Sequence, residues 1–124
     1  MVDTVSEVIL VDTGVAEDFP FGAPTSDVTI YVGSKIKPYL EALADLGYRP
    51  EQVSKILVTH KHNDHTDCLG PFPNAKIYIS PEDADALKLD GGNIVRCAFN
   101  DGAFANFPES ETVAPGMHFI RAVG

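Results

Sequence analysis

Tryptophan is missing from the 124 residues, and cysteine nearly so, with Cys68 and Cys97 the only two. Two thiols in no CxxC arrangement are too few for a disulfide framework, which fits a reducing compartment. Positive charge is also scarce. Nine Lys and Arg stand against 18 Asp and Glu, a formal charge of −9 and a pI near 4.6. Clustered cations are what hold phosphates, so neither nucleic acid nor an anionic membrane is expected as a main partner. No apolar run approaches the roughly 20 residues that cross a bilayer. The opening MVDTVSEVILVDTG lacks the basic start, apolar stretch and small-residue cleavage site of a secretion signal. The expected location is therefore the cytoplasm.

What is present suits a folded unit. Hydrophobic residues make up 44% of the chain and the mean hydropathy is near zero, far from the disordered class. The length suits one domain over 1–124, able to bury roughly two-thirds of its unfolded surface. Val8–Val11, β-branched at three of four positions and stopped by Asp12-Thr13-Gly14, reads as a buried strand ending in a tight turn. Residues 15–27 carry Gly22, Pro20 and Pro24 and read as a loop. Tyr39, Leu40, Leu43, Ala44 and Leu46 recur at helical spacing, predicting a helix over 34–46 with Ser34 as N-cap and Gly47 as stop. Strands are predicted at 55–59, 76–80 and 117–123, and a helix opened by Pro81 runs to about Leu89. Residues 91–110 look irregular. Buried strands alternating with helices indicate a layered α/β fold.

Three of the four histidines fall within six residues, His60-Lys61-His62-Asn63-Asp64-His65. Imidazole and carboxylate are ligands for zinc, manganese or iron. In an extended segment, residues two apart project to the same side, so His60 and His62 can share one metal just past a strand. If the chain then turns, Asp64 and His65 can face a second. Two such ions can polarise a carbonyl or phosphoryl oxygen and bring the pKa of a bridging water towards neutrality. A solvated polar loop is the plainer reading. Three histidines and a carboxylate straight after an apolar strand are hard to assign to packing, and a metal site is expected.

The run Ile56-Leu57-Val58-Thr59-His60-Lys61-His62-Asn63-Asp64-His65, with Gly70 after it, resembles the T-H-x-H-x-D-H signature of the metallo-β-lactamase superfamily. Ile9-Leu10-Val11-Asp12-Thr13-Gly14 is similar to the strand and turn that precede it there, and Leu46-Gly47-Tyr48-Arg49-Pro50-Glu51-Gln52-Val53 fits the segment between. Phe72-Pro73-Asn74-Ala75-Lys76-Ile77-Tyr78 most resembles the branch of N-acyl-homoserine lactonases. The resemblance implies an α/β fold, a partial αββα sandwich trimmed at both ends. It implies Zn2+, one ion or two, with Mn2+ or Fe2+ as alternatives. His60 and His62 match ligands of the first metal, Asp64 and His65 ligands of the second, and Asp64 also orients the nucleophilic water. Asp12 matches an acidic position beside the site, or is a turn residue bonding the backbone near Gly14.

Relatives also carry a third His on the first metal, a bridging Asp and a final His. By the resemblance these would follow the strand in 113–124, which leaves two protein ligands per metal. The implied reaction is attack of metal-bound hydroxide on a small-molecule lactone, ester or thioester. The alternative is a non-catalytic metal-binding or assembly module, its open sheet covered in a homo-oligomer or by a partner. Around the cluster, His118 is expected in the wall, Cys68 as a buried thiol, and Cys97, Phe99, Phe104 and Phe107 in packing. Asp67 either holds a histidine N–H or is exposed. Glu82, Asp83 and Asp85 are read as favourable charge at a helix start.

Overall fold

A computed structural model describes residues 1–4, 6–14, 37 and 39–121, with the backbone alone at 63 and 64. The predicted loop 15–27 and the start of the predicted helix 34–46 lie outside these residues. Five strands form one sheet: β1 (Val2–Asp3), β2 (Val8–Val11), β3 (Val53–Leu57), β4 (Lys76–Ile79) and β5 (Ile94–Arg96). They lie side by side in chain order, β1 antiparallel to β2 and the other pairs parallel. Parallel neighbours need crossovers, and helices α1 (Tyr39–Asp45) and α3 (Pro81–Leu87) lie in two of them. A single turn, α2 (Asn63–Thr66), follows β3, and an antiparallel hairpin of β6 (Ser110–Ala114) and β7 (Met117–Ile120) forms a separate two-stranded sheet.

Alternation along the strands sorts the core into two layers. Val8, Leu10, Ile56, Val58, Ile77 and Ile79 point to the side where Leu43 of α1 and Ala84 of α3 close the first cluster. Ile9 and Leu57 point the other way, against Val113 and Ala114 of β6, with Tyr78, Met117 and Phe119 around them. Both faces of the central strands are thus covered, which is why their sequences read as unbroken apolar runs. Lys55 ties the two sheets, its Nζ donating to the Val113 carbonyl at 2.6 Å and to Glu7 Oε2 at 3.1 Å. The expected α/β architecture is present as helix, sheet and sheet layers. Among the described residues no helix is long and apolar enough to cross a membrane.

Several element boundaries differ from expectation. β3 begins at Val53, which is fully buried and paired with Val8, and not at Lys55. It ends at Leu57, because the Thr59 N–H donates to the side chain of Asp12 at 2.9 Å. α3 starts where Ser80 accepts a hydrogen bond from the Asp83 N–H, and stops at Leu87, with Lys88 left-handed at φ 57°. The segment 91–110 contains β5, whose three residues have too little pattern to stand out and are ordered by pairing with β4. β6 was not expected either. Its run SETVA is half polar, and its burial comes from the first sheet, beyond the reach of local pattern.

Cys97 is fully buried beside this junction, and its N–H donates to the Ile79 carbonyl at 2.8 Å. Burial, and then the Glu111 carboxylate, push its thiol up to about 12 from an ordinary 9.0. A raised folded pKa means the folded chain holds this proton more tightly than the unfolded one. The resulting stabilisation is complete below about pH 9 and is lost as pH rises towards 12. Denaturant titrations across that range are expected to fall more steeply for the parent chain than for Cys97→Ala. Parallel slopes would remove the thiol from the alkaline response.

Candidate metal centre

Because β2 and β3 are parallel neighbours, their carboxyl ends open side by side, the usual place for a site in a layered α/β fold. The turn after β2 supplies Asp12-Thr13-Gly14, and the chain after β3 supplies Thr59 to His65. Asp12 sits at φ 60°, a left-handed conformation that Asp and Asn adopt at less cost than most residues. That conformation turns its carboxylate across the gap. Oδ1 accepts from the Thr59 N–H at 2.9 Å, and Oδ2 accepts from Thr59 Oγ1 at 2.7 Å and lies 2.8 Å from His65 Nδ1. Asp12 is thus an acidic residue beside the site, as one expectation had it, and its carboxylate bonds Thr59 and His65 where the other expected the backbone near Gly14. It shapes the turn, and its side chain orients the ring of His65.

Thr13 fastens the other end of the histidine loop. It is buried, its N–H and Oγ1 both donate to the His65 carbonyl, at 2.9 and 3.2 Å, and Oγ1 accepts from the Cys68 N–H at 3.2 Å. The Asp67 N–H donates to the Gly14 carbonyl at 3.2 Å. Within the loop, the His62 carbonyl accepts from the His65 N–H at 2.9 Å and from Thr66 Oγ1 at 3.2 Å, closing the turn of α2. That turn brings His65 back towards His60.

The three imidazoles meet. Ring centroids of His60 and His65 are 4.0 Å apart, and those of His60 and His62 are 4.8 Å apart at 85°. Of the four expected ligands, His60, His62 and His65 are brought together, while the side chain of Asp64 lies outside the described residues. Clustered imidazoles are donors of the kind that zinc and its neighbours take. A carboxylate behind the ring of His65 is the support that a ligating histidine needs. The described residues fit such an ion as part of a ligand set. Among them, no group of three or more His, Cys, Asp or Glu side chains is placed to hold one ion.

A cavity of about 870 Å³ opens beside His60 and His62. Val58, Phe99, Phe119 and Ile120 give it apolar walls, and Glu82, Asp83 and Arg121 rim it with charge. Arg121 donates to Glu82 Oε1 at 2.9 Å. The Glu82 carboxyl is lowered below its ordinary range by a hydrogen bond to its own backbone N–H and then by this guanidinium. His118 lines the wall as expected, stacked on Phe104 at 4.1 Å. Cys68 and Cys97 are buried and Asp67 is exposed. Phe104 and Phe107, expected in packing, are instead 44% and 43% exposed, and Phe99 is buried but faces the cavity. The loop carrying them folds on itself through a Phe104–Phe107 bridge, so their rings do not reach either core cluster. Thr59 was missed. The available signal was a hydroxyl residue between the apolar strand and the first histidine.

The family described as Metallo-beta-lactamase superfamily matches residues 1–114. Metallo-beta-lactamase domain-containing protein 1 of Mus musculus is 49% identical over 41 residues, 33% of this chain and 16% of that protein. An N-acyl homoserine lactonase of Bacillus cereus is 25% identical over the whole of this chain and 52% of its own length. Two solved structures are similar. A hydrolase of the beta lactamase superfamily, AbOPH, is 35% identical with a TM-score of 0.44, covering 72% of this chain and 28% of that one. AidC, a dizinc quorum-quenching lactonase in complex with a product, N-hexnoyl-L-homoserine, is 24% identical with a TM-score of 0.46, covering 81% and 30%. The chain thus spans about half the length of the lactonase from Bacillus cereus and a smaller share of the others. The match over 1–114 takes in the turn of Asp12 and the whole histidine cluster it supports, and the chain belongs to the metallo-beta-lactamase superfamily.

Proposed function

We propose that residues 1–124 form a single partial hydrolase domain that contributes zinc ligands to a site acting on a small-molecule ester, thioester or lactone. The observation that carries this reading is the cluster of His60, His62 and His65, backed by Asp12 and opening on a cavity with apolar walls. His60 and His62 would hold one ion, and Asp64 and His65 a second, with Mn2+ or Fe2+ as alternatives. Bound there, such an ion acts as a Lewis acid on a carbonyl and makes water a nucleophile near neutral pH. Asp64 is assigned the role of orienting the attacking water and receiving its proton. Asp12 holds the ring of His65, and Phe99 and Phe119 shelter the apolar part of a substrate from water. The name of the relative from Bacillus cereus supports a lactone as the substrate class. The small cysteine count supports the cytoplasm.

A second reading has one observation in its favour. Among the described residues no group of three donors is placed to hold one ion, and β6 and β7 pair only with each other. A metal-binding or assembly module completed by a second copy or another chain would supply both further ligands and strand neighbours. One preparation tests both readings. Protein dialysed without chelator is expected to carry about two metals per chain and to open lactones or esters, and a folded chain with no metal overturns the hydrolase reading. A solution mass above the monomer that falls on adding chelator favours assembly through the metal.

A further inference from the structure

The Asp12 carboxylate touches one imidazole directly and a second only through a hydroxyl. Oδ2 faces His65 Nδ1 at 2.8 Å and Thr59 Oγ1 at 2.7 Å, and the same Oγ1 lies 2.9 Å from Nδ1 of His60. A threonine hydroxyl has one proton, and a carboxylate has none to give. If that proton went to His60, two acceptor oxygens would face each other at 2.7 Å with nothing between them. It therefore goes to Asp12, and the contact with His60 runs from the ring N–H into an Oγ1 lone pair. The hydroxyl is held in place for this. Thr59 is β-branched, and its own backbone N–H is bonded to Asp12 Oδ1 at 2.9 Å, so both ends of the residue answer to one carboxylate.

We propose that Thr59 is a positioning residue that extends the grip of Asp12 to His60, so that one carboxylate sets His60 and His65 as the same tautomer. Each ring then carries its proton on Nδ1 and presents Nε2 as the ligating nitrogen. The idea deepens the reading of these histidines as ligands and rests on it for its purpose. Its content concerns the protein before any ion binds. A neutral imidazole left to water favours the opposite tautomer, with the proton on Nε2. Metal entry would then require each ring to move a proton first, and the Asp12–Thr59 pair removes that step at two rings together.

The test uses the full chain, labelled with nitrogen-15 and stripped of metal, at about pH 8.5, well above the ordinary imidazole pKa. Two-bond proton–nitrogen correlation spectra distinguish the two tautomers of each ring. His60 and His65 are both expected with the proton on Nδ1. Thr59→Val keeps the branched shape without the hydroxyl. It should move the His60 ratio towards the Nε2–H form by about 2- to 10-fold, the change one hydrogen bond makes, while His65 stays. Thr59→Ser should restore His60, which a loop merely loosened by substitution would not do. An Nε2 proton on His60 in the parent chain, or a His60 ratio untouched in Thr59→Val, overturns the proposal. Zinc uptake by the same samples is read separately. Its failure would remove the hydrolase reading while leaving the tautomer result intact.

Discussion

Asp12→Asn is expected to lower zinc affinity about 10- to 100-fold while leaving the fold in place. Asparagine accepts the left-handed backbone at φ 60° nearly as well as aspartate, so the turn after β2 survives. The amide keeps one oxygen, which can remain on the Thr59 N–H, and sets an NH2 where Oδ2 now meets Thr59 Oγ1 and His65 Nδ1. A donor facing Nδ1 requires that nitrogen to be unprotonated, and the ring proton moves to Nε2, the atom a metal would use. The substitution thus reverses a tautomer without removing a ligand. The stability cost should be about 1 kcal/mol, the scale of one hydrogen bond exchanged for a poorer one. Competition against a chromophoric chelator gives the affinity, and denaturant unfolding of the metal-free protein gives the cost. An affinity within about twofold of the parent would defeat the orienting role.

Ile56→Ala is expected to destabilise the chain by about 2–5 kcal/mol, a large share of the roughly 5–15 kcal/mol that holds a domain together. Ile56 is fully buried in β3, flanked in register by Leu10 of β2 and Ile77 of β4, and belongs to the cluster closed by Leu43 and Phe72. Strands on both sides leave little room for collapse into the cavity. A fall of roughly 10–20 °C in Tm should accompany it. The site suffers as well, because Thr59 and His60 follow the same strand and inherit its position. Loss of less than about 1 kcal/mol in denaturant unfolding would show that β3 is not the centre of this core.

How much could be read beforehand varied from element to element. β2 was legible to the residue, because a strand covered on both faces must be apolar throughout, and Asp-Thr-Gly ended it. The start of α3 was legible from Pro81, since first-turn chemistry is local, whereas its cap, Ser80, was read as the end of the preceding strand. β5 and β6 were not. Their hydrogen-bond partners lie on β4 and β7, and their burial depends on a sheet assembled from distant segments. The rings of Phe104 and Phe107 were misread for the same reason, since an aromatic side chain tells nothing of whether a core lies within its reach.

The amino-acid order alone determined the chemistry on offer. Three imidazoles and a carboxylate within six residues after an apolar strand state a donor set, because ligand type is a property of side chains and spacing. The family was legible on the same residues. Only the tertiary structure decided how those donors are held. Asp12 lies 47 residues before Thr59 and 53 before His65, and nothing local links them. The parallel pairing of β2 with β3 sets their carboxyl ends side by side, and a left-handed turn then swings one carboxylate across to a hydroxyl and a ring. A carboxylate's range is a hydrogen bond, so its role exists only once the sheet has brought its partners within 3 Å.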